Sequence, residues 1–286
     1  MTARLEHDRI RVGEHLAISF ERTLRLPDDG RTYPLPPGLG LFPVRRLDDA
    51  FVIPMYQREA LWIAFEGAWW KPNAVKVGIG GIDALTGEAW SEELRGDPQN
   101  YLVAPDQPWI DGINSGHGTI RQFVAMPLGS GVTVEGQLTG EERVGGLQFV
   151  VYEPKPGRFP DAEPDPGPPA EGAFMLESLP EMGLAAGGQM TQKLYPDAYG
   201  IDTWDPAART SFRVRIVNSE QWQELTGEEP PPTPVDAAAY TKAGLPWFAL
   251  YDEHKGDLAP GERLRGVRSL GGDDPSVDVE NVKKLR

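Results

Sequence analysis

The sequence predicts a mainly β protein, with a sandwich or barrel-like N-terminal part and a smaller α+β C-terminal part. Three observations carry that expectation. Apolar residues recur with period two, as at Leu16, Ile18 and Phe20 or Val75, Val77 and Ile79, which is the spacing of a strand with one buried face. Glycine (33 residues) and proline (28) are both frequent, so turns are many and long helices few. Five of the eight tryptophans fall within residues 60–128, together with most of the short apolar runs.

Taken in order, residues 16–26 (LAISFERTLRL) read as a strand, with Asp29-Gly30 as a turn and residues 31–35 as its return strand. PLPPGLGLFP follows, too rich in proline and glycine for a helix or inner strand, and is expected to lie extended across the surface. Residues 55–65 (MYQREALWIAF) read as a short turn of helix leading into a strand. Residues 75–79 form a strand ending at Gly80-Gly81, and residues 101–104 and 120–126 form two more. Residues 132–138 (VTVEGQL) and 147–152 (LQFVVY) read as paired strands across TGEERVGG. The tetrapeptide LTGE begins at Leu85, Leu138 and Leu225 without a fixed period, so a glycine turn accounts for it better than a repeat architecture.

Residues 153–172 are proline-dense and nearly devoid of apolar side chains, the composition of a semi-rigid linker. The chain therefore divides into a β-rich part (1–152), that linker (153–172), an α+β part that packs on the first (173–265) and a charged tail (266–286). In the third part residues 189–195 and 212–217 read as strands. Asn218-Ser219 caps a helix through Leu225 with Gly227 past its end, and Thr233-Pro234 starts another over residues 235–244. Residues 245–253 (LPWFALYDE) are apolar enough to dock on the core.

A formal net charge of -15 repels phosphate backbones and anionic headgroups, so neither nucleic acid nor a membrane is an expected partner. The absence of cysteine excludes disulfides and thiolate chemistry. The N-terminal stretch is charged, and the longest apolar run, residues 60–65, is far short of the ~20 residues a bilayer needs. A soluble, cytoplasmic protein is expected.

The densest polar stretch is residues 107–122 (QPWIDGINSGHGTIRQ). Asp111 and His117 could act there as a general acid/base pair, with Arg121 clamping an anionic group, as in a hydrolase. Turn-forming side chains that satisfy their own backbone account for the same pattern. Tryptophan on a β surface also suits the stacking of sugars, and the consecutive Trp69 and Trp70 would point to opposite faces of a strand. Trp69, Trp70 and Trp109, with Asn114 and Gln122, are accordingly the ligand-binding candidates. Gln57, Glu59, Glu66 and Asn73 are the nearby partners for hydroxyls.

Neither a metal nor a cofactor is expected. The four histidines are scattered, and Asp197, Asp202 and Asp205 match no calcium-loop spacing. The glycines of residues 76–83 are not followed by an amphipathic helix. GLAAGG (183–188) is followed by Gln189-Met190 where a phosphate loop needs Lys and Ser or Thr.

PLPPGLGLFP, IPMYQREALWIAF, KVGIGGIDALTGE, IRQFVAMPLG, QKLYPDAYGIDTWD and GLPWFALYDEH together resemble a family of uncharacterised proteins of bacteria and fungi. The resemblance covers most of the chain outside the linker and tail, and it implies no activity, cofactor or catalytic residue. The leading expectation is a non-catalytic binding or interaction protein for a glycan, another small molecule or a protein partner. A hydrolase-like enzyme built on Asp111, His117 and Arg121 is the alternative, and self-assembly through strand edges is a third. The oligomeric state stays open.

Overall fold

A computed structural model describes residues 2–116, 118–164, 183–232, 234 and 257–270. The protein is mostly β, and its strands form two sheets. β1 (Ala3–Glu6), β2 (Arg9–Val12), β3 (Leu16–Thr23), β4 (Thr32–Tyr33) and β5 (Gly38–Leu41) belong to the first sheet. β6 (Arg45–Leu47) and β7 (Ala50–Pro54) enter the second, β8 (Ala60–Gly67) returns to the first, and β9 (Asn73–Ile79), β10 (Ile82–Asp83) and β11 (Leu102–Ala104) lie in the second. β12 (Trp109–Ile110), β13 (Gly112–Gly116) and β14 (Thr119–Met126) rejoin the first. β15 (Leu147–Pro154) goes to the second, β16 (Gly183–Thr191) to the first and β17 (Trp204–Val217) to the second.

The main path of the first sheet runs β1-β2-β3-β8-β14-β16-β4 and that of the second β10-β9-β15-β17-β7-β6. The core lies where their apolar faces meet. Leu16, Ile18 and Phe20 of β3 and Leu61, Ile63 and Phe65 of β8 share one buried cluster with Val75, Val77 and Ile79 of β9 and Phe149 and Val151 of β15. Phe20 meets Phe149 edge-on at 6.0 Å, and Phe149 stacks on Phe212 at 5.0 Å. Removing this apolar surface from water is the main force holding the sheets face to face.

Several expectations need correction. β3 is buried on both faces, because Ala17, Ser19, Glu21 and Thr23 are covered as fully as the alternating apolar residues. β4 does not return along β3; it pairs in parallel with β16, Thr32 opposite Gln189. PLPPGLGLFP does supply a strand, since β5 bonds to β3. Residues 55–59 hold a turn but no helix before β8. Residues 132–138 are not a strand either: α1 (Val134–Thr139) forms there, and β15 pairs instead with β9 and β17. End signals override the β-branched pattern, because Thr133 Oγ1 accepts from the Gly136 N–H and Gly140 closes the helix at φ 79°.

α2 (Ser219–Thr226) matches its expectation. Asn218 and Gln221 form a reciprocal capping box, and Gly227 ends the helix. A further helix among the described residues, α3 (Glu262–Arg265), buries Leu264 in the core. The expected helix at 235–244 and the docking segment at 245–253 lie outside the described residues.

β15 extends to Pro154, past the expected boundary at 152, and residues 155–164 carry only turns and bends. Residues 165–182 lie outside the described set. The chain beyond them shares both sheets with the chain before: β16 pairs with β14, and β17 with β15 and β7. No helix among the described residues is long and apolar enough to cross a membrane.

The LTGE repeats share one local device. The glycines have φ of 74°, 79° and 72°, and each preceding threonine hydroxyl accepts from the N–H of the following glutamate, at 3.3, 3.1 and 3.1 Å. Glycine 187 and its neighbour, inside GLAAGG, permit close packing within β16. A Cβ at Gly187 would lie 2.5 Å from Val124 Cγ2, and one at Gly188 2.5 Å from the Pro27 carbonyl oxygen.

Candidate functional site

The sequence-predicted residues fall into two separate regions. The first is the β12–β14 hairpin, where polar side chains turn inward. Asp111 is fully buried; its Oδ2 accepts from Gln192 Nε2 at 2.7 Å, and its backbone N–H donates to Gln192 Oε1 at 3.0 Å. Its Oδ1 has no hydrogen-bond partner among the described residues. Burial pushes the carboxyl up to about 8, only partly offset by the Gln192 amide, so Asp111 is largely protonated at neutral pH.

Arg121 does not join it. The Arg121 guanidinium donates from Nη1 to the Val267 carbonyl at 2.6 Å. His117 lies outside the described residues. Asn114 Nδ2 donates to the Ala259 carbonyl at 2.9 Å. Gln122 accepts from the Leu26 N–H at 3.0 Å and donates to the Leu24 carbonyl at 2.8 Å. Asp111, Asn114, Arg121 and Gln122 are thus spent on tying the hairpin to surrounding chain. Trp109 is half-buried and meets Trp62 edge-on at 6.1 Å, and neither indole N–H has a partner among the described residues.

The second region is the connection between β8 and β9. Trp69 and Trp70 sit in a turn closed by the Lys71 N–H on the Ala68 carbonyl at 3.1 Å, not in a strand as expected. The Ala68 N–H donates to the His15 carbonyl at 2.9 Å and fixes this turn to the connection between β2 and β3. Trp69, at the tip, leaves 63% of its surface exposed, the largest such fraction among the described large apolar residues. Its ring meets Trp70 edge-on at 5.8 Å, and Trp70 meets the His15 imidazole edge-on at 6.0 Å.

That imidazole forms part of the wall of a cleft of about 360 Å³, which Thr2, Arg4, Gly13, Glu14, Lys71 and Glu153 complete. Lys71 Nζ reaches Asp161 Oδ1 at 2.7 Å, and Arg4 Nη1 donates to the Gly13 carbonyl at 3.3 Å. Glu59 is buried against Arg22, Asn73 donates to the Tyr152 carbonyl, and Glu66 pairs with Arg9, while Gln57 is exposed on the turn before β8.

Sequence reasoning singled out the tryptophans and passed over the cleft. Its residues come from β1, the β2–β3 connection, the β8–β9 turn and the end of β15, and only Lys71 adjoins a residue that stood out. Among the described residues no group of three His, Asp or Glu side chains is placed to hold a metal ion. Comparison of the chain with protein-family models, with curated proteins and with solved structures finds no match.

Proposed function

We propose that this chain is an intracellular, non-catalytic binding protein whose ligand is a carbohydrate held at the cleft beside the Trp69–Trp70 turn. The observation that carries the reading is the exposure of Trp69 on a turn hydrogen-bonded at both ends, beside a cleft of about 360 Å³. That volume lies at the lower end of the ~300–1,000 Å³ of small-molecule sites. An exposed indole offers an apolar face for the C–H side of a sugar ring, and its rigidity limits the ordering cost of binding. The Glu14 and Glu153 carboxylates have no side-chain partner among the described residues, so both can accept hydrogen bonds from ring hydroxyls.

The hydrolase alternative draws less support, because Asp111 and Arg121 point to different partners inside the fold. Titrating neutral and acidic monosaccharides and short oligosaccharides against intrinsic tryptophan fluorescence tests the proposal. A saturable change that disappears in Trp69→Ala is the expected result. A flat response to the whole panel, or a response that survives Trp69→Ala, overturns it.

A further inference from the structure

We propose that the sugar bound here carries a carboxylate, and that this group takes the place of the Asp161 side chain on Lys71. The inference rests on the carbohydrate reading and narrows its ligand class. Lys71 lines the cleft with its ammonium turned toward Asp161 Oδ1 at 2.7 Å. The Lys71 side chain is 18% exposed and lines the cleft, whereas that of Asp161 is 91% exposed and does not.

Asp161 lies on the 155–164 segment that leaves β15 just after Glu153, another residue of the cleft wall. Lys71 foremost holds the Asp161 carboxyl below the ordinary aspartate range, as expected of a carboxylate paired with an ammonium. An exposed ion pair of this kind is weakened by solvent screening, so a ligand anion can exchange for it at little cost.

Charge balance on the walls does not oppose the exchange, since one carboxylate replaces another. With Asp161 withdrawn, Arg4 and Lys71 face Glu14 and Glu153, leaving the cleft near neutral on a chain of net charge -15. A neutral sugar would leave Lys71 paired with Asp161 and gain nothing from it. A uronic acid offers the ammonium a carboxylate and offers Glu14 and Glu153 hydroxyl donors within one ring.

Isothermal titration of the full chain with glucuronate and galacturonate, against glucose and galactose, tests the inference. The expected result is uronate binding about fivefold or more tighter than the neutral sugars, the factor that ~1 kcal/mol provides. Asp161→Asn should tighten the uronates several-fold and leave the neutral sugars unchanged, and Lys71→Gln should bring the uronates down to the neutral level. Circular dichroism establishes that both variants remain folded. Equal affinity for acid and neutral sugars, or no gain in Asp161→Asn, overturns the inference and leaves the carbohydrate reading standing. If none of the four sugars binds, both fail.

Discussion

Asp111 and Gln192 hold each other twice, through Asp111 N–H to Gln192 Oε1 at 3.0 Å and Gln192 Nε2 to Asp111 Oδ2 at 2.7 Å. Gln192 directly follows β16, so this double contact joins the β12–β13 bend to the strand on the far side of β14. A carboxyl that looks available for chemistry in the sequence is a structural crosslink in the fold.

The crosslink makes stability depend on pH in a set direction. Burial lifts Asp111 from the ordinary 3.8 to about 8, so between those values the unfolded chain has released a proton that the folded chain keeps. Its contribution is intact below about pH 4 and is lost as pH climbs toward 8. Glu21, lifted by burial to about 7, acts in the same sense. Urea midpoints measured from pH 4 to 8 should fall for the wild type, and Asp111→Asn should flatten the slope by up to one proton. An unchanged slope would refute the assignment.

Arg22 and Glu59 form an ion pair at 3.2 Å with both side chains 1% exposed, and Arg22 also donates to the Pro232 carbonyl at 2.5 Å. Glu59→Ala should cost about 3–5 kcal/mol, because it strands a buried guanidinium. The double variant Arg22→Met/Glu59→Leu should be less destabilised than that single one in urea unfolding, since it removes both charges and keeps the volume.

At Gly112 the two hairpin strands nearly touch. A Cβ there would lie 1.9 Å from the Arg121 carbonyl oxygen, which is backbone and cannot rotate away. Gly112→Ala should cost about 3 kcal/mol, the upper end of overpacking penalties. Gly30→Ala, at φ 75° with nothing within 4 Å, should cost only about 1–2 kcal/mol. Thermal melts of the pair separate a steric cause from a conformational one.

Trp69 and Trp62 should behave as opposites. Trp62 is 5% exposed, so Trp62→Ala should lose about 3–5 kcal/mol of stability. Trp69→Ala should change stability by no more than ~0.5 kcal/mol while abolishing sugar binding. Urea unfolding gives the first comparison and calorimetric titration the second.

Much of the strand content was legible because it is local. The alternation at residues 16–20 and 75–79 and the Asn218–Gln221 cap are signals carried within a few residues. Residues 132–138 misled because Val132 and Val134 alternate like a strand, whereas Thr133 and Gly140 decide the outcome as caps. The hairpin misled for another reason. Its polar side chains bond to Gln192, Ala259 and Val267, partners 81, 145 and 146 residues away, and no local pattern announces those contacts. The cleft is likewise assembled by topology: Arg4, His15, Lys71 and Glu153 share no motif.

The most direct test of the account is to watch the eight tryptophan indole N–H resonances by ¹⁵N NMR while glucuronate is added. The account predicts that the Trp69 and Trp70 signals move and saturate while those of Trp62 and Trp109 stay fixed. Movement at Trp62 and Trp109 with Trp69 and Trp70 unperturbed would place the ligand at the hairpin and contradict it.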